Sequence, residues 1–265
     1  MGANYSDYGA VHQSAIWSFQ AGRDARRIGT GIGMVRFPAR PQAIVFDLDG
    51  VLFDTEALYR DALLAAAAEL DIHIPLSLCQ RMVGLHGNAA RLLLREYVGD
   101  EVDLDAVWEG TKARYRALFD TDLRLKPGVT ALLDTLDEMG LPRAIATSSS
   151  HRTAIHHLEA FGLRDRFDAL VASGDCERCK PFPDPYLRAA RILNKPTSSC
   201  LALEDSLAGV RSATAAGLPT IMVPDLQQPS AELRRLCASV ASDLDEVNLW
   251  LRGVAAGPDS GAAAH

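Results

Sequence analysis

Long apolar runs are missing from this 265-residue chain. The longest, such as LLAAAA at 63–68, are broken by charge well short of the roughly 20 residues that span a bilayer, so no membrane segment is expected. An excess of positive charge is missing too. Lys plus Arg number 27 against 34 Asp plus Glu, a formal net charge of -7, which excludes nucleic acid or an anionic membrane as the main partner but allows a local phosphate site. Cysteine is sparse and odd in number, at 79, 176, 179, 200 and 237. No export signal is expected either: Arg26 and Arg27 precede IGTGIGMV, but that run is only about eight residues and holds three glycines. Reduced thiols and a cytoplasmic location are therefore expected. Cys176 and Cys179 form a CERC, but with no second Cys or His pair at ligand spacing it reads as two loop thiols rather than a zinc or redox site.

What is present is an ordinary globular composition, 48% hydrophobic and 23% charged, in a length that suits one large domain or a domain with an insert. Residues 1–40 are polar, Gly-rich and without sustained periodicity, and are expected to be a disordered extension, with Met34 as an alternative start; residues 253–265 are expected to be a flexible tail. Short apolar runs bounded by turn residues read as buried strands: AIVF at 43–46, AIAT at 144–147, ALVA at 169–172, LALE at 201–204 and TIMV at 220–223. Helical patterns at 128–139, 151–161 and 206–216 end at Gly140, Gly162 and Gly217. Strand and helix in alternation imply an α/β fold, a doubly wound parallel sheet.

About a hundred residues separate the first strand from the second, far more than a crossover needs, and they carry helical patterns at 57–70, 88–98 and 104–119. The expected organisation is a core of 41–56 and 124–252 with a small helical cap, 57–123, inserted after the first strand. Ligands of an open α/β sheet bind at the carboxyl ends of the strands, so such an insert would lie over the site as a lid.

Chemistry-bearing residues gather at those ends. In FDLDGVLFDTE, 46–56, Asp47 closes the first strand and Asp49 follows it. Two carboxylates so close require a cation between them or one retained proton. An ionised Asp can then attack phosphorus while its neighbour serves as acid and base. ATSSS at 146–150 offers the Thr147 hydroxyl and, if a helix opens there, the amides of Ser148 and Ser149 as an anion site. Ser and Thr in that place also serve as plain N-caps. Lys180, in CKPFPDPY, follows the third strand and is flanked by Pro181 and Pro183. Glu204 and Asp205 end the apolar strand LALE, where a metal would relieve their burial or the next helix would use Asp205 or Ser206 as its cap.

Asp-x-Asp-Gly, Thr/Ser, Lys and Glu-Asp, in this order on successive strands, resemble the haloacid dehalogenase superfamily, in its phosphatase and phosphomutase branch with a helical cap. KPFPDPYL and LEDSLAGVRSATAAG strengthen the match, which covers about residues 42–223. The resemblance implies Asp47 as the nucleophile that becomes an aspartyl-phosphate and Asp49 as general acid and base. It implies Thr147, Ser148 and Lys180 as phosphoryl ligands. It further implies Mg²⁺ held by Asp47, Asp49 through its carbonyl, Glu204 and Asp205, and a cis Lys180–Pro181 bond. The expected activity is hydrolysis of a small phosphorylated metabolite by a monomer or weak homodimer. Cap-side candidates for specificity are Glu56, Tyr59, His86 and Asn88. The alternative is a sugar phosphomutase; where such mutases keep a His and a cap Arg, this chain has Tyr59 and Gly87, although His86 or Arg91 could stand in. A dehalogenase would lack Asp49 and the metal acids, and a non-enzymatic module would not keep so costly a cluster. His156 and His157 read as helix surface, without a role.

Overall fold

A computed structural model describes residues 40–82, 88–226 and 228–255. The expected extension (to residue 39), His86 and most of the expected tail lie outside the described residues. Six strands form one parallel sheet: β1 (Ala43–Phe46), β2 (Arg143–Ser150), β3 (Ala169–Ser173), β4 (Cys200–Glu204), β5 (Thr220–Met222) and β6 (Ser239–Val240). Their spatial order is β3-β2-β1-β4-β5-β6, a doubly wound sheet as expected. The chain reverses its direction of travel at β1, which pairs with β2 on one side and β4 on the other, and the crevice beyond their carboxyl ends is the natural ligand position.

The period-2 alternation of the central strand divides the core in two. Ile44 and Phe46 face a large-residue layer with Ile145, Leu203 and side chains of α5 (Val129–Glu138), α6 (His151–Ala160) and α10 (Leu244–Ala255). Ala43 and Val45 face an alanine-rich layer with Ala144, Ala146, Ala202 and side chains of α7 (Asp184–Ile192) and α8 (Leu207–Ala215). Small residues there bring α7 close enough for Tyr186 to be fully buried.

The long interval after β1 holds α1 (Thr55–Glu69), α2 (Leu76–Met82), α3 (Asn88–Val98) and α4 (Leu104–Asp122). They share an apolar cluster of their own, including Leu63, Ala67, Ile74, Leu78, Leu94, Leu104 and Val107. The far end of α4 departs from it: Phe119 packs into the main core.

The strand and helix expectations hold to within three residues at their ends, and Gly140, Gly162 and Gly217 do adopt positive φ. The elements without a sequence expectation are short or end-on: α2, α7, α9 (Ala231–Leu236), α10 and β6. One correction follows: the helix α10 runs to Ala255, into the stretch expected to be tail. ATSSS is a strand end that leads into a helix, as expected: β2 continues to Ser150, α6 starts at His151, and Ser150 is its cap, accepting from the Thr153 amide. A register shift falls between Ala146 and Ser150, so the amides of Ser148 and Ser149 belong to the strand end rather than to the first turn of α6. No helix among the described residues is long and apolar enough to cross a membrane.

Candidate active site

The chain leaves β1 through a tight turn in which Gly50 N–H donates to the Phe53 carbonyl at 2.8 Å. Gly50 has φ 81°, and a Cβ there would overlap the Asp205 carboxylate, so two demands fall on one glycine. This turn sets Asp47 at the sheet edge, where it is 7% exposed, and Asp49 beside the end of β2. Asp49 Oδ2 accepts from Ser149 Oγ at 2.7 Å and from Thr147 Oγ1 at 3.5 Å, while Thr147 Oγ1 itself accepts from the Ser149 amide at 3.0 Å.

Lys180 arrives from the β3–α7 loop, where the Lys180–Pro181 peptide is cis as expected. Its Nζ donates to Asp47 Oδ1 at 2.6 Å and to Glu204 Oε1 at 2.5 Å. Tyr186, on the first turn of α7, donates to the same Glu204 oxygen at 2.6 Å. The other oxygen, Oε2, accepts from the amides of Asp205 and Ser206 and from Ser206 Oγ. Ser206, not Asp205, caps α8, accepting from the Gly209 amide at 3.1 Å. A Cβ at Gly209 would run into the Glu204 carboxylate. Gly209→Ala is therefore expected to cost about 1–3 kcal/mol through overpacking, read as a lower Tm, and an unchanged Tm would contradict this tight fit.

Among the described residues, Asp47, Glu204 and Asp205 form the one group of acids able to hold a metal, each offering an oxygen within 4.8 Å of the others. The Asp49 carboxylate is not part of it. Burial pushes the Asp47 carboxyl up to about 7; Lys180 opposes the rise, and Glu204 and Asp49 add to it. Burial, then Asp47 and Glu204, hold Asp205 well above the carboxylate range. Burial alone would lower Lys180, but attraction to Asp47 and Glu204 outweighs it and raises the amine above its ordinary value. Three buried acids against one lysine leave a deficit of positive charge, and the absence of a Cβ at Gly50 and Gly209 leaves room for the Asp205 and Glu204 carboxylates. The residues present fit a divalent cation.

A cavity of about 720 Å³ opens over this edge. Asp47, Asp49, Thr147, Ser148, Lys180 and Asp205 line its floor, and Glu56, Tyr59, Arg60, Met82, Trp108 and Tyr115 from α1, α2 and α4 line the opposite wall. Glu56 is raised to about 7 by burial, with Asp225 and Asp49 adding to the effect. Cys179 also reaches the wall. The sequence-derived candidates within the described residues thus converge, apart from Arg91, which pairs with Asp105 at 2.7 Å and does not line the cavity, and Asn88, whose side chain, like the whole of His86, lies outside them.

Three residues were not anticipated. Tyr186 lies in the quoted KPFPDPY motif, yet its role depends on α7 starting at Asp184. Asp225 follows β5, another strand end, and pairs with Lys126 at 2.6 Å while its Oδ2 is buried without a partner. His157 corrects an expectation outright. It is 2% exposed, stacked on Phe119 and close to Asp49, because α4 returns to cover that face of α6.

A parallel sheet whose switch point carries clustered acids, a bridging lysine and hydroxyl donors under a helical wall defines an α/β enzyme built to handle an anion beside a cation. A family model described as haloacid dehalogenase-like hydrolase matches residues 41–217, and the chain belongs to that family of hydrolases. It is similar to the plasmid-encoded protein CbbY of Cupriavidus necator, 37% identical over 199 residues, which span 69% of this chain and 78% of that one. It is 29% identical over 180 residues to a phosphorylated carbohydrates phosphatase of Thermotoga maritima, spanning 68% and 83% of the two chains. Among solved structures, CbbY of Rhodobacter sphaeroides in complex with xylulose 1,5-bisphosphate superposes with a TM-score of 0.63 at 28% identity, over 78% of this chain and 96% of that one.

Proposed function

We propose that this enzyme hydrolyses the phosphate monoester of a small hydroxylated metabolite, with phosphorylated carbohydrates as the substrate class, by way of an aspartyl-phosphate on Asp47. The observation that carries the reading is the Lys180 ammonium bridging Asp47 and Glu204, within a three-carboxylate cluster, at the floor of a cavity large enough for a sugar phosphate. A relative named for phosphorylated carbohydrates and a neighbour that binds a sugar bisphosphate support the same class.

In this reading Asp47 attacks phosphorus with one carboxylate oxygen. Lys180, the Thr147 hydroxyl and the Ser148 amide hold the transferring oxygens and take up their charge. Asp49 protonates the departing oxygen, then takes a proton from the water that releases phosphate. Asp47, Glu204 and Asp205 would hold the divalent cation, Mg²⁺, whose chemistry when bound is neutralisation of phosphoryl charge and alignment of the nucleophile. Residues 57–123 act as the cap, and Glu56 and Tyr59, with His86, address the leaving group and exclude bulk water.

Phosphate release from a panel of sugar, polyol, glycolyl and nucleotide monophosphates tests this, with glucose 1-phosphate also checked for isomerisation. A sugar or polyol phosphate is expected to lead the panel. EDTA is expected to reduce its turnover by about 100-fold or more, with recovery on excess Mg²⁺. Full activity in EDTA, or isomerisation without phosphate release, would overturn the reading.

A further inference from the structure

His157 sits on α6 with its ring clamped from two sides. Phe119 of α4 stacks on it, ring centroids 4.3 Å apart at 26°, and Phe53, from the turn that carries Asp49, meets it edge-on at 5.5 Å and 75°. The neighbours Ala154 and Leu158 on the same helix are fully buried and apolar. An aliphatic or phenyl side chain would satisfy such a slot. The imidazole brings a polar atom instead: Nδ1 is buried and has no hydrogen-bond partner, a state that costs free energy unless some step of the working cycle relieves it.

The acceptor in front of Nδ1 is Asp49 Oδ1, 4.0 Å away. That is too long for a hydrogen bond, but a turn of the Asp49 carboxyl group brings it within range. The two oxygens of Asp49 face different partners. Oδ2 is held by Ser149 and Thr147 at the cavity floor. Oδ1 faces α6 and His157.

We propose that His157 is a positioning residue for Asp49, its Nδ1–H donating to Oδ1 during catalysis. This inference rests on Asp49 being the general acid and base. With Oδ1 engaged as an acceptor, the transferable proton is confined to Oδ2, on the cavity side. It leaves from Oδ2 to the departing ester oxygen, and the proton taken from water returns to Oδ2. His157 neither gains nor loses a proton, since Nδ1 carries one toward the carboxylate in the matching neutral tautomer and in the cation alike. The stacked Phe119 keeps the imidazole in its plane, so the orientation of Asp49 depends on where the end of α4 lies.

Leaving-group dependence separates positioning from packing. The phenolate of 4-nitrophenyl phosphate departs with little need of a proton, whereas an alkoxide leaving from glycerol phosphate needs one fully. His157→Phe fills the slot without a donor. It is expected to lower kcat/KM for glycerol phosphate by about 10-fold or more while 4-nitrophenyl phosphate stays within about 3-fold. His157→Asn, whose amide N–H falls near Nδ1, is expected to recover most of the glycerol phosphate rate. Should the Phe variant not fold, the ringless pair His157→Asn and His157→Ala puts the same contrast. Equal losses on both esters, or none on either, would overturn the proposal. Asp49→Asn run in parallel separates the two levels: a selective loss there without one in His157→Phe defeats the positioning role alone. Wild-type rates in Asp49→Asn defeat the acid and base reading and this inference with it.

Discussion

Asp47→Asn is expected to lower turnover of 4-nitrophenyl phosphate by about 10⁴-fold or more, because an amide oxygen is a far weaker nucleophile and the phosphoryl group has no alternative acceptor of that geometry. The folding consequence runs the other way. Burial, with the neighbouring acids, lifts the Asp47 carboxyl from 3.8 to about 7 against the pull of Lys180. A carboxyl raised on folding contributes stability below its unfolded value, and that contribution is lost as pH climbs through the folded one. With chelator present, the wild-type protein should therefore lose stability between about pH 4 and pH 7. The Asn variant lacks this component and should melt above wild type at pH 8 in EDTA. Melting curves at two pH values check the electrostatics, and steady-state rates check the chemistry. An active variant in a pure preparation would remove Asp47 from its role.

Asp49→Asn is expected to cost about 10²–10⁴-fold in kcat, the usual contribution of a positioned acid and base. It should leave Mg²⁺-dependent thermal stabilisation largely intact. The reason is geometric: the Asp49 carboxylate is held by Ser149 and Thr147, outside the group formed by Asp47, Glu204 and Asp205. Parallel measurement of kcat and of the Tm shift with Mg²⁺ separates the two effects. A normal rate would end the acid and base role, and loss of the Mg²⁺ shift would place the carboxylate among the metal ligands.

Much of this site is legible in the sequence because strand ends are. A buried parallel strand is a continuous apolar run, and an acid or hydroxyl at its end stands out against it, as with Asp47 after AIVF and Glu204 closing LALE. Lys180 is legible only through its motif, since the loop that carries it has no periodicity. What escaped depends on contacts between distant segments. His157 shares the buried face of Ala154 and Leu158, but nothing in HRTAIHHLEA says that Phe119, from another helix, stacks on its ring. Helix α7 is short and starts inside a proline-rich stretch that reads as loop, so the burial of Tyr186 against Glu204 was hidden with it. Asp225 lies three residues beyond the end of the fifth strand, and its partner Lys126 lies about a hundred residues away. ATSSS reads from sequence as a strand end leading into a capped helix, and only the register shift on the way to Ser150 is hidden, because Ser and Thr suit a cap and a bulged strand alike.

The central claim is that the phosphoryl group passes through Asp47. Rapid acid quench of the enzyme turning over a phosphate ester with Mg²⁺, followed by peptide mapping by mass spectrometry, tests it most directly. One phosphoryl group should appear on the peptide containing Asp47, be removed by hydroxylamine and be absent from Asp47→Asn. A phosphoryl group on another residue, or turnover with no phosphorylated peptide under conditions where its breakdown limits the rate, would contradict the account.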